Sequence, residues 1–274
     1  MKIQKLDDVI DARGIKALVY GASGTGKTRL IESLPGRVLV ASAEAGMLSL
    51  RGLGGGRIDV VEITSIDGLR EVYSHVKRTA HGYDWIALDS VSEIAEVCLT
   101  EQKKLTKDPR AAYGAIQDEV GGILRAFRDL DVGVYFSAKE HKEKDDSTGR
   151  TSYGLSMPGA KLGAQVPYLF DLVMRLVVVS DKDEAGNAVD VRWLQTANDG
   201  RSVAKDRSGR LEPFELADPT SGDVWGLGAI VEKIRGTPAK RARKSTGVEA
   251  ALSGIDEQHN DEGEDGSNNN VVND

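Results

Sequence analysis

The sequence has 274 residues, of which 40% are hydrophobic and 29% charged, and its net charge is −7. This mixture is that of an ordinary globular protein and argues against fibrous, collagen-like or wholly disordered chains. No apolar run approaches the roughly 18 to 20 residues that cross a bilayer, and the single cysteine, Cys98, excludes an intrachain disulfide and a multi-cysteine metal site. We therefore expect a cytoplasmic protein with no membrane partner.

Short apolar runs alternate with helical patterns from the start of the chain to about residue 235. This alternation predicts an α/β fold with a mainly parallel central sheet flanked by helices. Strands are predicted at residues 17–21, 37–44, 57–63, 85–90 and 132–139, and helices at residues 27–34, 67–79, 91–104 and 112–130. Two later apolar runs, 171–180 and 188–196, flank a polar segment and predict a C-terminal β-hairpin, which a helix at 226–235 follows.

Residues 21–28 read GASGTGKT and match the phosphate-binding loop pattern G-x-x-x-x-G-K-[ST], between a predicted strand and a predicted helix. In such a P-loop, backbone N–H groups surround a polyphosphate and the following helix points its positive end at it. Lys27 is expected to reach the β and γ phosphates, and Thr28 to bind Mg²⁺. The predicted ligands are therefore ATP and Mg²⁺, and the predicted nucleotide-binding residues of the loop are Gly21, Ala22, Ser23, Gly24, Thr25, Gly26, Lys27 and Thr28.

Two carboxylates are candidates for the rest of the catalytic site. Asp89 ends the apolar segment WIALD and is predicted to be the second Mg²⁺-ordering residue, although with Ser90 it could instead cap the next helix. AAA+ enzymes usually place a catalytic glutamate where this chain has Ser90, so the general base must come from elsewhere. Glu44, at the end of the predicted second strand, is the candidate, and its alternative role is an exposed residue at a loop start.

The order GASGTGKT, VASAEAG, IALDS and then an apolar strand resembles the RecA-core ATPases. The segment SMPGAKLGAQVPYLFDLVMRL (156–176) looks like the stretch that follows the second DNA-binding loop of that family. EAGMLSLR (44–51) is similar to a stretch of its compact phage-encoded members, the RecA-like single-strand annealing recombinases. The resemblance covers about residues 1–235 and implies a RecA-like P-loop ATPase domain there, acting in the host cytoplasm if the chain is phage-encoded.

The resemblance assigns further catalytic roles. Glu44 takes the position of the general base, and Lys139 that of the γ-phosphate sensor, where the family often has glutamine. Lys205 and Arg207 match the K-x-K spacing by which RecA reaches across to its neighbour's nucleotide. For Lys139 the alternative is an ordinary loop residue, and for the other two it is a pair of surface cations on a turn.

The resemblance also implies two loops that bind single-stranded DNA, one at 101–114 and one at 141–161. Both segments are basic, and their aromatic residues Tyr113 and Tyr153 could stack on bases, although acidic residues dilute the charge of the second and both could be ordinary solvated loops. The candidate DNA contacts are Lys103, Lys104, Lys107, Arg110, Lys142, Lys144, Arg150 and Lys161.

The C-terminal segments differ from the rest in charge. Residues 249–274 hold eight acidic residues and no Lys or Arg, so removing those eight negative charges from −7 leaves residues 1–248 at +1. We expect a basic linker at 236–248 and an acidic, disordered tail at 249–274, which could mask the DNA-binding loops or simply aid solubility.

The expected function is that of an ATP-hydrolysing DNA recombination protein, stimulated by DNA, that binds single-stranded DNA and promotes annealing or strand pairing. We expect a homo-oligomeric ring or filament with nucleotide at subunit interfaces, and a single-strand DNA-binding protein as a further candidate partner. A helicase-type DNA motor on the same core, a small-molecule P-loop kinase and a nucleotide-dependent switch remain alternatives.

Overall fold

The computed structural model describes residues 14–44, 47–78, 81–182, 186–219 and 224–236. These residues form one ten-stranded sheet with helices on both faces, which confirms the predicted α/β class. The strands are β1 (Lys16–Gly21), β2 (Val38–Ser42), β3 (Ile58–Glu62), β4 (Trp85–Asp89), β5 (Gly133–Lys144), β6 (Thr151–Leu155), β7 (Leu172–Lys182), β8 (Ala188–Gln195), β9 (Lys205–Asp206) and β10 (Phe214–Leu216). The α-helices are α1 (Ile66–Arg78), α2 (Val91–Leu105), α3 (Pro109–Arg128), α4 (Ala160–Gln165) and α5 (Gly226–Ile234).

The sheet order is β10-β8-β7-β1-β5-β4-β2-β3, with β6 paired to β5 and β9 paired to β7. The six strands from β7 to β3 in this order are parallel, whereas β6, β8, β9 and β10 pair antiparallel. One strand, β5, therefore separates β1 from β4. The carboxyl ends of β1, β4 and β2 lie together with the middle of β5 at one edge, here called the site edge, which is where open α/β sheets bind ligands.

The central strands are apolar on both faces because helices cover both faces. In β1, Leu18 and Tyr20 pack with α1, α2 and α3, while Ala17 and Val19 pack on the other face with a 3-10 helix (Arg29–Ser33) and α5. Strands β2 and β4 are buried along their whole length. The nucleotide loop at the end of β1 is thus held by a two-sided core.

Strands β5 and β7 flank β1, and both continue past its end. β1 stops at Gly21, which is in register with Lys139, whereas β5 runs on to Lys144 and β7 to Lys182. The second half of β5 pairs with β6 to form a hairpin at residues 140–155, here called the arm. At the end of β1 the two strands are joined by an ion pair between Glu140 and Arg175 (2.7 Å), whose side chains are 12% and 13% exposed.

Most predicted element positions are confirmed to within one to three residues. Two differ: the helix after the P-loop is the short 3-10 helix Arg29–Ser33, and β5 extends five residues beyond its predicted end. The helix α3 begins at residue 109, three residues before its predicted start. The early start of α3 has a local cause, since Pro109 occupies its first turn and the Asp108 side chain accepts from the N–H of Arg110 (2.9 Å). The predicted acidic tail, and the basic linker beyond Gly236, lie outside the described residues, and so do residues 1–13.

Candidate nucleotide site

The P-loop follows β1 directly at the site edge. Gly24 and Gly26 have φ values of 77° and 103°, a region that side-chain-bearing residues rarely adopt, so the loop needs glycine at both places. The Thr25 hydroxyl donates to the carbonyl of Ala22 (2.9 Å) and closes the loop on itself. The N–H of Leu30 donates to the carbonyl of Gly26 (3.1 Å) as the 3-10 helix begins. Together these contacts curve the loop tightly, and in a loop of this kind the backbone N–H groups can converge on an anion.

Lys27 folds back over the loop that carries it. Its ammonium donates to the carbonyl oxygens of Gly21 (2.9 Å) and Ala22 (2.8 Å). Burial lowers the pKa of Lys27, while the carboxylates of Glu44 and Asp89 oppose that shift. The side chain therefore already lies among the groups that would surround a phosphate, and binding would exchange carbonyl partners for phosphate oxygens.

Asp89 ends β4 and is 2% exposed. Its carboxylate accepts from the Thr28 hydroxyl (2.7 Å) and from the Ser137 hydroxyl on β5. Burial raises the pKa of Asp89, and the two hydroxyl hydrogen bonds oppose that rise. The cap of α2 is Ser90, whose Oγ accepts from the N–H of Glu93 (3.3 Å), so the Asp89 carboxylate is not used as a helix cap.

The oxygen atoms of Thr28 and Asp89 fit the requirements of Mg²⁺, which binds hard oxygen donors and takes its other ligands from water and substrate phosphates. Within the described part of the chain, no group of three or more His, Cys, Asp or Glu side chains is arranged to hold a metal ion by itself. A metal at this site would therefore depend on the nucleotide for part of its coordination.

Glu44 lies beside Asp89 because β2 and β4 are neighbours. Ser42 is in register with Asp89, and the N–H of Ala43 donates to the Asp89 carbonyl (2.9 Å). The Ser90 hydroxyl donates to Oε1 of Glu44 (2.6 Å) and fixes its carboxylate toward the end of β4. The structure therefore brings Lys27, Thr28, Asp89 and Glu44 together, as the candidate site requires.

Lys139 also lies at the site edge. It is in register with Gly21 on the neighbouring strand, and its ammonium pairs with Glu93 at the start of α2. This hydrogen bond raises the pKa of Lys139. The position fits that of a γ-phosphate sensor, but contact with a phosphate would require Lys139 to leave Glu93.

Lys205 and Arg207 lie away from this chain's own P-loop. Strand β9 pairs with the first residues of β7, which are in register with the first half of β1, toward the opposite edge of the sheet. The Lys205 ammonium donates to the Pro167 carbonyl (2.7 Å), and Arg207 contacts Asp171 (3.5 Å). Burial and the nearby Arg207 lower the pKa of Lys205. This placement separates both cations from the chain's own nucleotide and also argues against the segment serving as a kinase-type phosphate lid.

The first predicted DNA-binding loop is not a loop. Lys103 and Lys104 lie in the last turn of α2 and Arg110 in the first turn of α3, leaving Lys107 in a three-residue connection. The predicted loop conformation was wrong because α3, capped by Asp108, begins early and shortens the connection. The ammonium of Lys103 lies 5.9 Å from the ring centroid of Tyr113, which is 41% exposed.

The second predicted DNA-binding loop is mostly the arm, an ordered hairpin. Lys142 and Lys144 lie on the extension of β5, and Arg150 donates to the carbonyl of Gly200 (3.0 Å). Asp145 orders the turn by accepting from the N–H groups of Ser147 and Thr148, and Lys161 lies farther on in α4. The alternating charges of HKEK hid this strand, because a solvated two-stranded hairpin needs no apolar face.

The two basic segments converge although they are far apart in sequence. A Cβ placed on Gly159, which follows β6, would lie 3.5 Å from the Tyr113 ring. The start of α3 and the segment after the arm therefore lie side by side. All eight candidate DNA contacts are exposed. Tyr153, however, is only 9% exposed and its ring is covered by the Arg175 guanidinium, so the expectation that it stacks on bases is wrong.

Three residues of the site escaped sequence reasoning. Ser137 bonds Asp89, Tyr135 donates from its hydroxyl to the carbonyl of Lys27 (2.7 Å), and Arg192 on β8 contacts the P-loop through Thr25. A polar serine inside the apolar run VGVYFSAK was a usable signal for Ser137. No local signal distinguishes Arg192, whose role depends on how β8 packs beside the loop.

A glycine-rich loop at the end of a parallel strand, with an acidic residue ending the next strand but one, defines a P-loop NTPase. The chain belongs to the AAA domain family, whose sequence profile matches residues 13–208. The matched region contains the P-loop, Glu44, Asp89, the arm and the Lys205–Arg207 segment, and it supports a nucleotide-binding P-loop ATPase with Mg²⁺ as the usual metal. No curated protein matches the chain. Among the described residues, no helix is both long and apolar enough to cross a membrane.

Proposed function

We propose that this ATPase binds single-stranded DNA and promotes annealing or strand pairing as a homo-oligomer. The observation that carries the proposal is the continuity of β5, which contributes Ser137 to the nucleotide site and Lys142 and Lys144 to the exposed arm. One continuous strand thus connects the candidate nucleotide site to an exposed hairpin that carries Lys142 and Lys144. On the neighbouring surface, exposed Lys103 lies beside the exposed ring of Tyr113, a combination that suits a single strand, whose backbone is charged and whose bases can stack.

Hydrolysis follows from the residues at the site edge. Lys27 and the loop N–H groups bind the phosphates, and Thr28 and Asp89 would hold Mg²⁺, which when bound neutralises phosphate charge. Glu44, oriented by Ser90, accepts a proton from the attacking water. The water oxygen forms a bond to the γ phosphorus while the bond from that phosphorus to the ADP oxygen breaks.

Assembly would complete the site. Lys205 and Arg207 lie toward the sheet edge opposite their own P-loop, so their charge would act on a phosphate held by a neighbouring subunit. A cation supplied in this way stabilises the charge that develops on the transferred phosphoryl group. ATP would then favour the assembled state, because each nucleotide would be shared by two subunits.

The test is the rate of ATP hydrolysis with and without single-stranded DNA over a range of salt concentrations, together with the rate at which two complementary strands anneal. We expect DNA to stimulate hydrolysis several-fold, and the stimulation to fade as salt rises, because phosphate contacts release counterions. Lys27→Ala is the control and should abolish hydrolysis. The proposal would be refuted if the rate of ATP hydrolysis were the same with and without single-stranded DNA and the protein bound no DNA.

A further inference from the structure

Arg192 connects the C-terminal hairpin to the P-loop. Its Nε donates to the carbonyl oxygen of Thr25 (3.1 Å), and its Nη1 donates to Oδ1 of Asp218 (3.1 Å). The backbone N–H of Arg192 donates to the other oxygen of Asp218 (2.6 Å), so one carboxylate holds both ends of the residue. The guanidinium is therefore fixed in place even though the side chain is 37% exposed.

This contact depends on the length of β7 and β8. Arg192 is in register with Val178, three residues beyond Arg175, the β7 residue that pairs with Tyr20 of β1. The hairpin thus passes the end of β1 and lies alongside the P-loop. A Cβ placed on Gly26 would come within 3.4 Å of the Arg192 Nε, so the guanidinium lies directly against the loop.

The chemistry of the contact follows from the peptide unit that it touches. The carbonyl of Thr25 and the N–H of Gly26 belong to the same peptide bond. A cationic donor on the carbonyl oxygen polarises that bond and makes the N–H a stronger donor, because linked hydrogen bonds reinforce one another. In P-loops, N–H groups at these positions cradle the α and β phosphates.

We propose that Arg192 is a positioning residue that sets nucleotide affinity through the Thr25–Gly26 peptide, with Asp218 holding it in place. The inference rests on the nucleotide-binding part of the proposed function and is independent of DNA. Because ATP and ADP share their α and β phosphates, Arg192 should strengthen the binding of both to the same extent. This separates it from Lys27, which also reaches the γ phosphate.

The experiment titrates fluorescent ADP and ATP analogues, with Mg²⁺ and without DNA, into the full-length chain and its variants. Arg192→Met keeps the length of the stem and should weaken both affinities roughly tenfold, the effect of losing one charge-assisted hydrogen bond. Arg192→Lys keeps the charge and should recover part of the loss. ATP hydrolysis by Arg192→Met should show a raised KM with an unchanged kcat, because the lost contact stabilises the bound substrate and the transition state equally.

Arg57→Met is the matched control. Arg57 donates to the carbonyls of Leu34 (2.7 Å) and Gly36 (3.1 Å), so it makes the same kind of contact away from the P-loop, and its loss should leave both affinities unchanged. Unchanged affinity in Arg192→Met, a loss confined to ATP, or Arg192→Lys as weak as Arg192→Met would overturn the proposal.

A second variant covers the case in which Arg192→Met does not fold. Asp218→Asn retains Arg192 but weakens the contacts that hold its guanidinium in place. The affinities for ATP and ADP should each fall about threefold, less than if the Arg192–Thr25 hydrogen bond were lost completely. Affinity equal to that of the unaltered chain would overturn the proposal. Failure of DNA annealing would not affect either result, since no DNA is present.

Discussion

The burial of the Asp89 carboxylate lowers the stability of the folded protein when no nucleotide is bound. A buried carboxylate is disfavoured in its charged form, and the two hydroxyl groups that bond it compensate only in part. Mg²⁺ bound with ATP would supply the missing positive charge. The free protein is therefore expected to be less stable than its complex, and to a degree that depends on pH.

Asp89→Asn tests this directly. The pKa of Asp89 is raised in the folded state, so ionisation disfavours folding: stability falls as pH rises from the ordinary Asp pKa through the raised one, and the penalty is complete above it. The nucleotide-free variant should therefore be more stable than the unaltered chain at neutral pH, by about 1 kcal/mol or roughly 2–4 °C in Tm. The difference in stability between the two proteins should shrink as the buffer becomes acidic. At neutral pH the variant should also have lost the binding of Mg²⁺ with ATP.

Asp118→Asn, on the exposed side of α3, serves as the control and should show no such gain. Thermal unfolding of the three proteins without nucleotide at neutral and mildly acidic pH is the measurement. A lower Tm for Asp89→Asn at neutral pH would contradict the expected cost of burying the charge.

How far the site could be predicted from the sequence depends on the kind of residue. Lys27, Thr28 and Asp89 belong to patterns that are local in sequence, and Glu44 required only the assumption that two strands are neighbours. The contacts of Ser90 with Glu44 and of Arg192 with Thr25 arise from side chains brought together by tertiary packing. No periodicity along the chain records such contacts.

Among the secondary-structure elements, the arm differs most from its prediction. Sequence periodicity located the buried strands well because both of their faces are apolar. The second half of β5 is exposed and charged, so its strand character depends on pairing with β6 rather than on burial. The same property leaves Lys142 and Lys144 at the protein surface on an ordered strand.

Replacing both Lys142 and Lys144 by Gln tests the arm as a DNA contact. Each lost contact to a single strand should reduce the slope of log affinity against log salt by about 0.7, so the double variant should lose about 1.4. Fluorescence anisotropy of a labelled oligonucleotide over a salt series gives this slope. Lys182→Gln, at the exposed end of β7, is the matched control. Equal slopes for the double variant and the unaltered chain would remove the arm from the DNA surface.

At the scale of the whole molecule, the nucleotide site and the Lys205–Arg207 segment lie toward opposite edges of one sheet. Such a molecule can bring the two together only by head-to-tail contact between subunits. This type of contact generates rings or filaments, in agreement with the assembly that we propose.

Mixing two inactive variants tests shared sites. Glu44→Gln should bind ATP but hydrolyse it slowly, and Arg207→Ala should hydrolyse poorly because its neighbours receive no cation. In an equal mixture with random head-to-tail assembly, about one quarter of the interfaces would contain both an intact base and an intact Arg207. Hydrolysis by the mixture should therefore exceed that of either variant alone. A mixture no faster than the average of the two would exclude a shared site.

The extension of β5 beyond the sheet also has a geometric consequence. The Glu140–Arg175 ion pair joins β5 to β7 at the point where the arm leaves the sheet, and so anchors the base of the arm. From Glu140 to Lys144 the strand advances by four residues, roughly 13 Å, so a tilt of about 10° at the base of the arm would move Lys144 by about 2 Å. A small change of angle at the base of the arm would therefore become, by leverage alone, a displacement of atomic size at Lys144.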